Sequence, residues 1–337
     1  MRRAWKPFIA LAAVTAGGVL AAGSPSSASA PTAASPRPAS STVAAAFEAS
    51  PSPARVTSQF ATVNGVRMHY LRAGQGEPLV LLHGWPQHSL MWQRIMPALA
   101  QRYTVIAPDL RGTGGTAVTS SGYDKRTMAT DVRALVTHLR LGKVSLVGHD
   151  HGAGVAYAYA SMHRADVRRM AVLDFALPGF GYEFAMNTPP EADRDWNWQV
   201  AMFTLPEVAE PLLRGNEREL LDWFFRHQAH VEPAVRGRDF NAYVRAISGP
   251  GRLRAGMAWY DAVWQDLADN RAFAQQTLTI PILALGGEAS VGALVEQAFI
   301  PVGTDVRGGV VPAAGHWMVD ENPAEVTRRL LAFFAEP

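Results

Sequence analysis

The sequence contains no cysteine, and its charges nearly balance. Among 337 residues there are 31 Lys and Arg against 29 Asp and Glu. The absence of cysteine excludes disulfides and thiol catalysis, and a domain of this size can fold without disulfides. No basic stripe runs along the chain, which argues against nucleic-acid binding. The 48% hydrophobic content is sufficient for one large α/β domain with an insertion.

The N-terminus has the features of a secretory signal peptide. Basic residues occur within positions 1–6, an apolar run extends to Ala22, and Ala28-Ser29-Ala30 provides a small-residue cleavage pattern. The apolar run is short for a membrane span. Cleavage would leave 28 basic and 29 acidic residues. We therefore predict a signal peptide at residues 1–30, secretion without membrane association, and a disordered Pro/Ala/Ser-rich linker at 31–54.

Short apolar runs alternate with helical patterns over residues 55–179 and 276–337. This alternation predicts an α/β fold with a mostly parallel, eight-stranded, doubly wound sheet. Residues 180–275 are helical and aromatic, without an obvious strand, and predict a helical cap over the carboxyl edge of the sheet. The predicted strands are Phe60–Val63, Val66–Leu71, Pro78–His83, Tyr103–Ala107, Val144–Val147, Arg169–Leu173, Ile282–Leu285 and Gly309–Val311, with core helices at Met91–Gln101, Thr127–Leu139 and Pro323–Ala335.

A nucleophile elbow is predicted at Gly148-His149-Asp150-His151-Gly152. A buried strand runs into this sequence and a helix of small residues follows it. The glycines permit a sharp turn that raises the central side chain above the sheet. That position usually holds serine, but here it is Asp150. A carboxylate is suited to attack a strained or activated sp3 carbon, giving an alkyl ester that water hydrolyses.

Two further motifs supply partners for Asp150. Backbone N–H groups of Trp85, in the loop His83-Gly84-Trp85-Pro86, and of His151 are predicted to form an oxyanion hole. His316, in Ala313-Ala314-Gly315-His316-Trp317, follows the last strand and is predicted to be the general base that activates water.

An acid must orient the predicted base, and two positions compete for this role. Asp174 follows a strand beside the nucleophile strand, 24 residues after the elbow. Glu288 follows a later strand, where Ser290 stands at a position that often holds aspartate. We favour Asp174, and Glu288 remains the alternative.

Together, these motifs resemble the epoxide hydrolase branch of the α/β-hydrolase family. The resemblance covers nearly all of residues 55–337 and extends to Trp196-Asn197-Trp198 and Ala258-Trp259-Tyr260, which are similar to segments of secreted bacterial epoxide hydrolases. It implies a small-molecule epoxide substrate and no cofactor or metal. In that subgroup the acid follows the sixth strand, as Asp174 does. The sequence does not decide between a monomer and a homodimer.

The resemblance also implies the residues that contact substrate. A cap tyrosine and a cap histidine assist ring opening in the subgroup; the tyrosine corresponds to Tyr260, but Asn197 replaces the histidine. Asparagine can donate a hydrogen bond but cannot transfer a proton, so Tyr260 takes the acid role. Asn197, Trp198, Trp85 and Trp317 are the candidate substrate-binding residues.

Two other functions remain open. A dehalogenase acting on organohalides shares the Asp–His–acid set. However, haloalkane dehalogenases carry Trp directly after the nucleophile, and haloacetate dehalogenases carry Arg there and three residues later; this chain has His151 and Gly154. The second alternative is a ligand binder on a hydrolase scaffold, for which the Asn197 replacement is the sole support.

Overall fold

The computed structural model describes residues 55–186 and 197–336. Eight strands form one sheet in the order β1-β2-β4-β3-β5-β6-β7-β8. The β1–β2 and β2–β4 pairs are antiparallel and all other neighbours are parallel, which confirms the predicted sheet. The strands are β1 Thr57–Val63, β2 Val66–Ala73, β3 Glu77–Leu82, β4 Tyr103–Pro108, β5 Val144–His149, β6 Val167–Leu173, β7 Leu278–Gly287 and β8 Gly303–Val311. The predicted signal peptide at 1–30 and the predicted linker at 31–54 lie outside the described residues.

Helices cover both faces of the sheet and make up most of the described part of the segment between β6 and β7. The α-helices are α1 Met96–Leu99, α2 Lys125–His138, α3 His151–Met162, α4 Trp198–Met202, α5 Pro206–Leu213, α6 Glu217–His227, α7 Gly237–Ile247, α8 Arg252–Asp261, α9 Val263–Phe273, α10 Leu294–Phe299, α11 Met318–Glu321 and α12 Pro323–Phe334. Short 3-10 turns occupy Ser89–Arg94, Arg164–Asp166, Tyr182–Met186 and Ile300–Val302.

The central strands are apolar because both of their faces are covered. Every residue of β4 and β5 is buried, as expected for parallel strands between two helical layers. One cluster of buried side chains lies against each face of the sheet. The buried strands therefore hold the carboxyl ends of β3, β5, β6 and β7 in place. The loops that follow these ends carry the candidate site.

The differences from the predicted elements are clearest at α1 and β8. The predicted helix at Met91–Gln101 is divided into a 3-10 turn and the short α1. Pro97, in the first turn of α1, has no N–H to continue a helical ladder from the preceding turn. The predicted last strand, Gly309–Val311, is only the end of β8, which begins at Gly303. As an edge strand, β8 has only one buried residue among its nine, so it does not need a long apolar run.

The helices α4–α9, called here the inserted helices, are joined to the rest of the chain by buried polar contacts. The ammonium of Lys125, at the start of α2, lies 2.8 Å from Asp266 Oδ2 and donates to the Trp259 carbonyl at 2.8 Å. The indole N–H of Trp259 donates to the Arg111 carbonyl at 3.2 Å. The division of the chain into core and cap stays a prediction. Across the described residues, no helix has the length and apolarity needed to cross a membrane.

Candidate active site

The turn after β5 holds Asp150 in a strained conformation. Its φ is 50°, in the left-handed region that disfavours side chains with a Cβ, at a cost on the order of 1–3 kcal/mol. The neighbouring glycines are required by close packing. A Cβ on Gly148 would lie 2.4 Å from the Gly152 carbonyl oxygen, and one on Gly152 would lie 2.2 Å from the Leu82 oxygen. The elbow therefore depends on both glycines.

The carboxylate of Asp150 is held by backbone donors. The Trp85 N–H donates to Oδ1 at 3.0 Å, and the His151 N–H, at the start of α3, lies close enough to the carboxylate to help lower its pKa. Burial raises the pKa of Asp150 above its usual value, although the charge of His316 and the two backbone donors work against that rise. The two predicted oxyanion-hole donors thus meet at the same side chain.

His316 lies between the two carboxylates. Its Nδ1 is 2.7 Å from Asp174 Oδ2, and its Nε2 is 3.8 Å from Asp150 Oδ2. A carboxylate only accepts hydrogen bonds, so Nδ1 carries a proton and, in the neutral ring, Nε2 is free to accept one. Burial alone would lower the pKa of His316, but the hydrogen bond and charge of Asp174, with the charge of Asp150, raise it above 6.5.

Asp174 is the acid that contacts His316. Its Oδ1 accepts from the Gly287 N–H at 2.8 Å, and its Oδ2 accepts from the Ser290 hydroxyl at 2.6 Å. Burial opposes ionisation, but these donors and His316 lower the pKa of Asp174 below its usual value. Glu288 instead accepts a hydrogen bond from the Ala313 N–H at 2.8 Å. The geometry therefore favours Asp174 over the alternative.

The loop that carries His316 is anchored by contacts that the sequence did not indicate. His149 Nε2 lies 2.8 Å from the His316 carbonyl oxygen, so this nitrogen is the donor. The two imidazole rings are 4.7 Å apart. Burial lowers the pKa of His149 to about 3, which keeps it neutral. The His316 N–H donates to the Gln228 carbonyl at 2.8 Å, at the end of α6.

Two tyrosines lie beside the elbow. Tyr260 packs edge-on against the His151 ring at 4.4 Å, and the ring of Tyr182 lies 6.3 Å from the same imidazole. Both tyrosines are buried. Burial raises the pKa of each well above 10, and the charge of Asp150 adds to the rise. Both phenols are therefore protonated at neutral pH. Tyr182 was missed because nothing in the local sequence distinguishes it from a packing residue.

The three predicted substrate-binding tryptophans all contact Phe224 of α6. Trp198 stacks on Phe224 at 5.8 Å, and the ring of Trp85 contacts the same phenylalanine edge-on at 5.6 Å. Trp317 is 1% exposed, and its N–H donates to the Phe224 carbonyl at 3.1 Å. Trp317 thus joins the His316 loop to α6. Asn197 directly precedes α4; its contact with substrate stays a prediction, as do those of the tryptophans.

The described residues contain no cluster of His, Cys, Asp and Glu that could hold a metal ion.

The residue after the nucleophile, His151, is buried near the charge of Lys125. Burial lowers the pKa of His151 well below 6.5, and the Lys125 charge lowers it further. Position 151 therefore offers a neutral ring.

Comparison with known proteins identifies the architecture. The model of the alpha/beta hydrolase fold family matches residues 77–253. The chain belongs to this family. Of the relatives of this α/β hydrolase, the soluble epoxide hydrolase of Corynebacterium sp. (strain C12) is 39% identical over 289 residues, covering 83% of this chain and 98% of the relative.

Two other relatives of this α/β hydrolase are informative. The fluoroacetate dehalogenase of Burkholderia sp is 41% identical over 288 residues, covering 81% of this chain and 92% of the relative. The crystal structure of Cfl2 from Burkholderia cenocepacia superposes with a TM-score of 0.79 at 34% identity, covering 83% of this chain and 96% of that one. The protein is an epoxide-hydrolase-like α/β hydrolase, and it is an enzyme.

Proposed function

We propose that this α/β hydrolase opens epoxides to vicinal diols through a covalent alkyl ester on Asp150. The observation that carries the proposal is the carboxylate at the elbow, with backbone donors on one side and His316 Nε2 3.8 Å away on the other. The similarity to a soluble epoxide hydrolase supports the choice of substrate.

In the first step, Asp150 Oδ2 attacks an epoxide carbon. Oδ1 receives the Trp85 N–H, so we assign the attack to the oxygen that faces His316. The carbon–oxygen bond of the ring breaks and its electron pair moves to the ring oxygen. Tyr260 donates a hydrogen bond and then its proton to this oxygen, and Tyr182 is the second donor. Both phenols are protonated at neutral pH and are therefore able to donate.

In the second step, His316 Nε2 accepts a proton from water, and the resulting hydroxide attacks the carbonyl carbon of the ester. The oxyanion forms on Oδ1, which already accepts from the Trp85 N–H, and the His151 N–H is the second donor of the proposed oxyanion hole. The ester bond then breaks and the departing alkoxide takes the proton from His316. Asp150 is released as the carboxylic acid, and its proton returns to the Tyr260 phenolate left by the first step, so both groups regain their starting states. Asp174 holds the imidazole in the required tautomer throughout.

Ester formation itself changes the electrostatics of the site. The charge of Asp150 contributes to the raised pKa values of His316, Tyr260 and Tyr182. Esterification removes that charge. The tyrosines become stronger acids as the alkoxide develops, and His316 becomes easier to keep neutral as a base. Esterification of Asp150 therefore favours proton donation by the two tyrosines and proton acceptance by His316.

Loss of the phenol hydroxyls should slow ester formation selectively. Tyr260→Phe removes the proton donor, and we expect a decrease of about 100-fold in the single-turnover alkylation rate. Tyr182→Phe removes one hydrogen bond to a developing charge, for which we expect about 10-fold. Rapid-quench measurement of the ester under single-turnover conditions tests both values.

The matched control for these variants is Tyr157→Phe. Tyr157 is also a buried tyrosine, but it packs against Phe273 and Phe299. Its replacement should leave alkylation unchanged. An unchanged alkylation rate in Tyr260→Phe would contradict the assigned acid.

A substrate panel distinguishes the proposed activity from its nearest rival. Styrene oxide and aliphatic epoxides should yield diols, while haloalkanes and haloacetates should release no halide above background. Halide release without diol formation would reject epoxide hydrolysis in favour of dehalogenation.

Dehalogenation is the second candidate because of the fluoroacetate dehalogenase relative. Against it, the position after the nucleophile holds neutral His151, and the position three residues later is Gly154. The nearby Lys125 is engaged by Asp266. These positions therefore lack the positive charge that would hold a substrate carboxylate.

A further inference from the structure

A second row of hydrogen-bonded side chains runs from the β1–β2 hairpin to the residue after β4, away from the elbow in sequence. Ser58 Oγ is 2.8 Å from His69 Nε2, and His69 Nδ1 is 2.7 Å from Asp109 Oδ2. The strand register pairs Ser58 with Leu71 and Phe60 with His69. Ser58 and His69 are therefore diagonal neighbours on the same face of the hairpin. With Asp109, which directly follows β4, the hairpin residues form a serine–histidine–aspartate row with the hydrogen-bonding order of serine hydrolases.

The buried acid fixes the proton positions in this row. Asp109 also accepts from the Ser89 N–H at 2.8 Å and from the Gly115 N–H at 2.7 Å. Burial opposes ionisation, but the hydrogen bond of His69 and the charges of neighbouring histidines keep the pKa of Asp109 far below its usual value. An ionised carboxylate only accepts hydrogen bonds, so His69 Nδ1 is the donor. In the neutral ring, Nε2 then accepts the hydroxyl proton of Ser58.

The row borders an open cavity that a small molecule can enter. Ser58 is exposed, and the cavity beside it has a volume of about 410 Å³. Leu71 and Leu90 give the wall an apolar part, and Arg245 of α7 contributes a guanidinium. A short acyl group fits the apolar wall, and the guanidinium offers positive charge for a carbonyl oxygen.

We propose that Ser58, His69 and Asp109 form a second nucleophilic site that accepts activated esters of short carboxylic acids. Ser58 Oγ attacks the acyl carbon while His69 Nε2 takes the hydroxyl proton. The alcohol leaves with that proton, and an acyl-serine remains. Water then attacks the acyl-serine, giving a proton to His69, which returns it to Ser58 Oγ as the acid departs.

This site would work less efficiently than the elbow. Its oxyanion would be stabilised by the exposed Arg245 side chain rather than by backbone donors held in place. The proposal is therefore best tested by covalent labelling with a reactive probe, which requires only an activated nucleophile. It does not depend on epoxide hydrolysis at Asp150, and either proposal can fail alone.

The test is fluorophosphonate labelling of the full chain, followed by mass spectrometry of the peptide that contains Ser58. We expect a phosphonyl adduct on Ser58 in the unaltered protein and none in Ser58→Ala. His69→Asn retains a side-chain amide able to donate to Asp109 but removes the base, so labelling should slow by about 100-fold. Thr62→Ala, which removes an exposed hydroxyl from the same strand, should label at the normal rate.

Circular dichroism melting verifies that each variant is folded. Exposed Ser121 serves as an internal reference in the unaltered protein, so the test does not depend on the fold of His69→Asn. Labelling of Ser58 no faster than of Ser121, or at the same rate in folded His69→Asn, would overturn the proposal.

Discussion

Replacing Asp150 with asparagine is expected to lower diol formation by on the order of 10⁴-fold or more, which is the scale seen when a nucleophile is removed from a catalytic unit. An amide carries no negative charge and cannot form the alkyl ester. In the unaltered protein, the Trp85 N–H donates to Asp150 Oδ1 at 3.0 Å. If the NH2 group of the asparagine took the place of Oδ1, it and the Trp85 N–H would be two donors facing each other. Steady-state diol production by chromatography measures the loss.

The control for this variant is Asp261→Asn. Asp261 is an exposed aspartate at the end of α8, directly after Tyr260, so its replacement changes the charge by the same amount without touching the elbow. Diol formation should be retained. Freshly purified protein and intact mass are required because deamidation of the introduced amide would regenerate the Asp150 carboxylate. Activity of the intact amide near that of the unaltered enzyme would reject a covalent route.

Replacing His316 with alanine should separate the two steps. Asp150 can still attack the epoxide, but no base activates water, so the ester should accumulate to one equivalent per active site. We expect turnover to fall at least about 10³-fold. Intact-mass spectrometry should show an increase equal to one substrate molecule, and peptide mapping should place it on Asp150.

The matched control is His138→Ala, which removes an exposed histidine at the end of α2. This variant should turn over normally and retain no adduct. Two results for His316→Ala would contradict the assignment of His316 as the base: diol formation at the rate of the unaltered enzyme, or no consumption of substrate at all.

The motifs that could be predicted from sequence are those in which one short segment dictates its own geometry. Gly148 and Gly152 flank the nucleophile because side chains there would collide with backbone, and this requirement is visible as a pattern. The loop around His316 was recognised from Gly315-His316-Trp317 after the last strand, although His149 and Gln228 from other segments anchor it. The acid was harder to assign because Asp174 and Glu288 both follow strands, and only the three-dimensional arrangement brings Asp174 within 2.7 Å of His316.

The features that escaped prediction depend on contacts between distant segments. Tyr182 reaches the site only because the chain after β6 folds back beside His151. The Lys125–Asp266 pair joins residues 141 positions apart, and neither residue stands in a motif. The beginning of β8 was missed for a different reason: an edge strand in water has no need of a continuous apolar sequence.

The most direct test of the central claim is a single turnover in H2¹⁸O with enzyme in excess over epoxide. If Asp150 is the nucleophile, the oxygen added to the first diol comes from its carboxylate. The diol should then be unlabelled, and ¹⁸O should appear in the Asp150 peptide. Diol carrying ¹⁸O from the first turnover, with no label in Asp150, would show direct attack by water and contradict this account.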